Sequence, residues 1–226
     1  MPRLHRTRVL FGPDGTDKLQ NSTVLGVGCG AVGSFAIEAL TRSGVGHLIL
    51  IDFDRVEESN INRQLFALES TIGKPKVKVA ATRMRDINPD VRVDTFDVFF
   101  DSTTKIPFLP DFIIDAIDTV ESKVALYHFA HRHNIPLISS MGAASKTDPT
   151  QIKIAPLSKT TVCPLAARVR RLVRGSDLPD FPVVFSTQTP LPVSGHAKNL
   201  GSVITVTGAF GLIMANWVIQ EIVSNK

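Results

Sequence analysis

Along the first 140 residues the apolar positions switch between two spacings. Val24–Val27 is a short, largely apolar run with the length of a buried strand. Val32, Phe35, Ala36, Ala39 and Leu40 then fall on one helical face, and Gly44 is placed to end that helix. His47–Asp52 is an apolar strand closing on an acid. Pro75–Asn88 returns to helical spacing, with Val77, Ala80, Ala81, Met84 and Ile87 on one side. Val91–Phe96 and Phe112–Ile117 read as strands, Glu121–His133 as a helix and Pro136–Ser140 as a strand. Alternation of this kind predicts an α/β fold, a mostly parallel sheet with helices on both faces.

Beyond residue 146 the pattern changes. Prolines recur at 149, 156, 164, 179, 182, 190 and 192, and the strands are short, Gln151–Ile154 and Val183–Ser186. A short antiparallel part and a closing helix over about 208–223 are expected, preceded by a strand near 203–206. Residues 186–201 have loop composition. The stretch 203–223 is apolar enough to raise a membrane span, but Thr205, Thr207, Asn216, Gln220 and Glu221 interrupt it and no basic residue flanks it until Lys226. A buried helix is the expectation, with no membrane partner. The whole chain is expected to form one domain, 1–146 holding a nucleotide and 147–226 serving substrate binding and dimer formation.

With 226 residues, 43% hydrophobic and 20% charged, the chain has ordinary globular composition, which excludes disordered and coiled-coil classes. Cys29 and Cys163 are too few for a disulfide framework or a four-cysteine zinc site. The start, MPRLHRTRVLFG, carries no apolar signal core, so a cytoplasmic setting is expected. The net charge of +4 is unevenly spread. Lys153, Lys159, Arg168, Arg170, Arg171 and Arg174 fall in one segment without an acid, while the remaining chain has 19 basic and 21 acidic residues. Such a segment suits a polyanion, and equally a solvated helix with Val162, Leu165, Val169 and Leu172 as its apolar face. His128, His131 and His133 have no carboxylate or cysteine nearby and read as solvated histidines.

Gly28, Gly30 and Gly33 form G-x-G-x-x-G between a predicted strand and helix, a Rossmann-like phosphate loop. Asp52 closes the next strand, 24 residues after Gly28, where a carboxylate can accept ribose hydroxyls. A dinucleotide would fit these features alone. The next residues argue for a triphosphate with a metal: Asp54, Asn60, Asn62, Arg63 and Gln64 sit in one loop, and Lys74, Lys76 and Lys78 start a helix. Lys74 and Lys78 read as solvated charges. Asp118, in DAIDTVESK, follows a strand end, on the ligand-binding edge of an open sheet.

The order G-x-G-x-G-x-x-G, D-x-D-x-V-x-x-x-N-x-N-R-Q, G-K-P-K, D-A-I-D resembles the ubiquitin-activating-type adenylyltransferases, which use ATP and Mg2+ to place AMP on a carboxylate. The resemblance implies that Asp52 holds the ribose, that Asn60, Arg63, Gln64 and Lys76 hold the phosphates, and that Asp118 holds the metal. It implies further that Arg6 reaches the ATP of a second copy, and hence a homodimer. RTxxLFGxxGxxKL, DAIDTVxxK, IPLISSMGAA, DPTQI, the SKT before PLA, and VVFS are similar more narrowly to the family of tRNA threonylcarbamoyladenosine dehydratases. That family implies tRNA as substrate. The carboxylate of a threonylcarbamoyl group beside the anticodon is adenylated, and its carbamoyl nitrogen then closes a ring. Lys159, Arg168, Arg170, Arg171 and Arg174 would meet tRNA phosphates.

Two departures stand out. Cys29 occupies a loop position that is commonly glycine, and its side chain should point away from the phosphates. Cys163 stands where related dehydratases more often have Asp, and it is expected to be structural. Two other readings stay open: an adenylyltransferase for the C-terminal glycine of a ubiquitin-like sulfur carrier, with a sulfur-transfer protein as partner, and a nucleotide-binding regulatory module without chemistry.

Overall fold

The computed structural model describes residues 2–192 and 200–224. Seven strands form one sheet in the order β3-β2-β1-β4-β5-β7-β6. They are β1 (Thr23–Val27), β2 (His47–Ile51), β3 (Arg92–Phe96), β4 (Phe112–Asp115), β5 (Leu137–Ser140), β6 (Ile152–Pro156) and β7 (Pro182–Ser186). All neighbours pair parallel except β6, which runs antiparallel to β7 with Ile154 opposite Val184.

Side chains alternate across the strands, so each face has its own core. Val24, Leu48, Leu50 and Ile114 point to one face. There they meet α2 (Gly33–Ser43), α3 (Lys76–Ile87) and α6 (Ile204–Ser224) through Ile37, Leu40, Val77, Met84, Phe210 and Met214. Leu25, Val27, Ile49 and Ile113 point to the other face. There they meet α4 (Val120–Arg132) and α5 (Pro164–Val173) through Val120, Leu126, Tyr127, Ala166 and Val169. The expected α/β class, with helices on both faces, a short antiparallel edge and a closing helix, describes this architecture.

Three local features depart from the sequence reading. The first is α1 (His5–Asn21), an element that reading does not name. It is kinked at Gly12, with φ 74°, and Pro13, and buries only Gly15, Thr16 and Leu19, too few for a periodic signal. The second is the strand near 203–206. α6 begins at Ile204, and Val203 accepts the amides of Val206 and Thr207, so this β-branched run is the helix's first turn. The third is the apolar face of α5. Ala166 and Val169 are buried, whereas Val162 and Leu172 are exposed. The loop expected over 186–201 is irregular at 187–192 and 200–201, and residues 193–199 lie outside the described residues.

α6 has the length and hydropathy of a membrane span, yet most of that window is buried inside the protein. It lies against α2 and α1. Gly208 and Gly211 let the α2 and α6 backbones approach. A Cβ on Gly211 would sit 2.3 Å from the Val32 carbonyl oxygen and 2.9 Å from the Ala36 nitrogen. On Gly208 its nearest neighbours would be atoms of the Phe35 ring, from 3.2 Å.

Gly211→Ala is therefore expected to lower stability by about 1–3 kcal/mol, and Gly208→Ala by less, because a ring yields where backbone cannot. Urea unfolding checks this: the Gly211 variant should lose midpoint at unchanged slope. Equal midpoints for the two variants would refute it.

Candidate active site

Where β1 gives way to α2, the backbone turns at Gly28, with φ 95°. The Gly28 amide donates to the Ile51 carbonyl at 2.9 Å. A Cβ there would come within 2.6 Å of the Ala116 carbonyl oxygen, and one on Gly33 within 1.8 Å of the Gly28 carbonyl oxygen. Only glycine lets this loop lie between β4 and the start of α2. Gly30 is open toward the Gln64 side chain.

Asp52 at the end of β2 fixes the loop. Its Oδ2 accepts the Cys29 amide at 2.6 Å and its Oδ1 accepts the Asp54 amide at 2.8 Å. Burial raises the Asp52 carboxyl above its ordinary range, against the pull of these amides and of Lys76. Cys29 is fully buried. Burial, with the Asp52 charge added, pushes its thiol up, so it is packed and protonated, away from the cleft. The Lys76 ammonium is almost buried and donates to Asp54 Oδ2 at 2.7 Å. Asn60 is buried and caps its own turn, accepting the Glu57 amide. Arg63 donates through Nη1 to the Ser59 carbonyl at 2.7 Å and to Asn62 Oδ1 at 2.8 Å. Its other guanidinium nitrogens have no partner among the described residues.

These groups line one cleft of about 650 Å3 with Gly28, Gly30, Asp52, Asp54, Asn60 and Gln64. Gly33 underlies it by packing on Gly28. At one end the Phe53 and Phe99 rings meet edge to face, 5.1 Å between centroids, and leave faces that can take a base. Across the sheet the wall is Ala116–Thr119, Ser122, Ser140–Ala144, Pro164, Leu165 and Arg168. Asp118 is exposed on this wall and, among the described residues, accepts only the Thr119 hydroxyl, at 3.4 Å. No group of three or more His, Cys, Asp or Glu that could hold a metal occurs among the described residues, including around His128, His131 and His133.

The basic residues of α5 do not act as one patch. Arg168 lines the cleft. Arg170 donates to the Thr160 carbonyl at 3.0 Å and to the Thr160 hydroxyl, tying α5 to the turn before it. Lys159, Arg171 and Arg174 are exposed. Arg6 is exposed on α1 and does not line this chain's cleft. Cys163 caps α5 and is buried, its sulfur accepting the Gly142 amide at 3.4 Å.

A buried network beneath the β4 and β5 ends went unread in the sequence. Lys123 and Asp115 are fully buried and paired at 2.9 Å. Lys123 also donates to the Ser140 carbonyl at 2.8 Å and to the Ser139 hydroxyl at 3.2 Å. The Ser139 hydroxyl also bonds Asp115 at 2.5 Å and the Tyr127 hydroxyl at 2.7 Å. Burial, then the Asp115 charge, push the Tyr127 phenol up. Asp115 Oδ1 accepts the Ile117 amide at 3.1 Å, which sets the loop carrying Asp118. The one sequence signal was Asp115 itself, an acid closing an apolar strand as Asp52 does.

The chain matches the ThiF family model over residues 4–226. It is 45% identical over 192 residues to the tRNA threonylcarbamoyladenosine dehydratase of Bacillus subtilis, covering 83% of this chain and 76% of that one. Among solved structures, the Escherichia coli tRNA N6-threonylcarbamoyladenosine dehydratase in complex with ATP superposes with a TM-score of 0.91 at 34% identity, covering 98% of this chain and 93% of that one. The molybdopterin-synthase adenylyltransferase of Haemophilus influenzae is 35% identical over 137 residues, 60% of this chain and 56% of that one.

Lys123→Met strands a buried carboxylate and is expected to cost about 3–5 kcal/mol. Adding Asp115→Asn removes the stranded charge and should recover much of that loss. Urea unfolding of the two singles and the double closes the cycle. Additive losses would show that the pair is not coupled.

Proposed function

The chain belongs to the ThiF family, and we propose that it is an ATP-dependent enzyme that dehydrates N6-threonylcarbamoyladenosine in tRNA to its cyclic form. The observation that carries this reading is the cleft. Phosphate-binding groups on one wall face an acid and a second, uncommitted wall across the carboxyl ends of β1 and β4. Likeness to dehydratases runs over most of the chain, whereas the sulfur-carrier enzyme matches only part of it.

ATP is a substrate here. The Phe53 and Phe99 faces take its base, Asp52 its ribose, and the glycine loop its phosphates, with Asn60, Arg63, Gln64 and Lys76 around them. Lys76 and Arg63 neutralise charge that grows on the leaving pyrophosphate. Asp118 fits Mg2+, because that ion keeps waters and takes one or two carboxylates plus nucleotide phosphates. When bound, it supplies further charge neutralisation at the phosphates. A carboxylate is a poor acyl donor because oxide would have to leave; joined to AMP it has a stable leaving group. Ring closure by the carbamoyl nitrogen is intramolecular and needs no enzyme nucleophile. The burial of Cys163 agrees with that chemistry.

The substrate is large, and the outward-facing Lys159, Arg171 and Arg174 are suited to its phosphates in a reduced cytoplasm. Exposed Val9 and Leu10 lie within one turn of Arg6 on α1, and Leu212 is exposed on α6. That favours a homodimer in which Arg6 reaches the second copy's ATP.

With ATP, Mg2+ and modified tRNA, digestion and mass analysis should show the nucleoside lighter by one water. Lys76→Ala should slow the reaction about 10²- to 10³-fold while retaining the native circular-dichroism spectrum. A nucleoside of unchanged mass would exclude the activity. AMP transfer to a carrier protein's C-terminal glycine would select the second reading.

The charge on α5 gives a separate outcome. Arg171→Ala with Arg174→Ala should weaken tRNA binding and reduce the log–log salt slope by roughly 0.7–0.9 for each phosphate no longer neutralised. ATP affinity should stay the same. Light scattering on the same sample should give the mass of two chains. An unchanged slope, or an active single chain, would refute the corresponding part.

A further inference from the structure

Ser122 stands in the first turn of α4, is 3% exposed and lines the cleft, yet its hydroxyl has no hydrogen-bond partner among the described residues. Native proteins rarely leave a buried hydroxyl unpaired unless a ligand or water completes it. Thr119, the N-cap of α4, makes no side-chain bond to the helix, so the first-turn amides are uncapped beside Ser122. The positive end of a helix dipole lies there as well.

Arg168 comes to the same cleft from α5, which packs against α4. It has no ion pair and no hydrogen bond among the described residues. The same cleft is also lined by small and apolar groups: Gly142, Ala143, Ala144, Pro164 and Leu165. None of these groups belongs to the set that surrounds the nucleotide phosphates. A cation, an unpaired hydroxyl and a helix N-terminus around a small apolar wall fit an anion carried on a short carbon skeleton.

We infer that this half of the cleft is the acyl site, where Ser122, the α4 first turn and Arg168 hold the carboxylate that is to be activated. The inference rests on the dehydratase reading and names where its substrate binds. One carboxylate oxygen bonds to the α-phosphorus of ATP as the bond from that phosphorus to pyrophosphate breaks, and pyrophosphate leaves with the electron pair. Arg168 and Ser122 hold the other oxygen, which keeps the attacking one directed at phosphorus. The carbamoyl nitrogen then bonds to the carbonyl carbon, the bond from that carbon to AMP oxygen breaks, and the nitrogen's proton goes to solvent. Arg168 thus has a different task from its neighbours Arg171 and Arg174 on the same segment.

Single-turnover dehydration of modified tRNA by the full chain, with saturating ATP and Mg2+, tests this. Arg168→Met should slow the reaction about 30- to 100-fold, as loss of a charged hydrogen bond does. Arg168→Lys should recover most of that loss, and Ser122→Ala should slow the reaction roughly 5- to 20-fold. ATP affinity and the tRNA salt slope should not move in any of them, which separates this role from phosphate binding. Arg168 is exposed, so folding should survive, with circular dichroism as the check. Arg168→Met reacting as fast as the unaltered chain overturns the acyl site, as does weakened ATP affinity or a flattened salt slope. If the unaltered chain releases no water, the dehydratase reading falls and the acyl site with it. If it does release water and the variants match it, only the acyl site falls.

Discussion

β1 is paired on one side with β2 and on the other with β4, and the helices that follow β1 and β4 cross to opposite faces of the sheet. Two loops must therefore part at adjacent strand ends, and the space between them is the cleft. The parting is tight. Gly28 lies so close to Ala116 that a methyl group would not fit. The nucleotide wall grows from the first loop and the acid-bearing wall from the second, so strand order brings reactants together before any side chain is chosen.

Each loop is then held by a buried carboxylate serving as a backbone acceptor. Asp52 takes the amides of Cys29 and Asp54, and Asp115 takes the amide of Ile117. The two acids are treated differently. Asp115 is sealed in with Lys123 and has no access to ligand. Asp52 stands at the cleft edge, where burial raises its pKa and Lys76 and the amides oppose the rise. A carboxylate that already orders the phosphate loop can also meet a ribose without reorganising, the preorganisation on which electrostatic catalysis depends. Lys76, held on Asp54, presents to the cleft a charge that is already oriented.

How much of this was legible follows from the range of each signal. The glycine loop, Asp52, Asn60, Arg63, Gln64 and Lys76 lie within local motifs whose residue types state their chemistry, and the structure brings them to one cleft. α1 was illegible because a kinked helix with three buried residues has almost no period. The β-branched start of α6 favours strand locally and is overruled by the α2 surface that it packs on. Lys123 carried no signal, since a buried lysine looks like a solvated one until its partners across the sheet are known. Ser122 was invisible for the same reason: a missing hydrogen-bond partner shows only in the folded chain.

The basic segment shows the limit of charge counting most directly. In sequence it is one run without an acid, which invites one role. Over ten helical residues the side chains of α5 point in different directions, and the fold gives each direction a different neighbour. Arg170 meets Thr160 and becomes part of the scaffold. Arg168 meets the cleft. Arg171 meets solvent. A polyanion acts on all exposed charges at once and can be counted from composition, but a carboxylate entering a cleft engages only the cation that faces it. On the function proposed above, one helix attracts a large nucleic acid with its outer charges and orients a small acyl group with its inner one. On that reading, capture of the polymer and placement of the reacting atoms fall to one element of the fold.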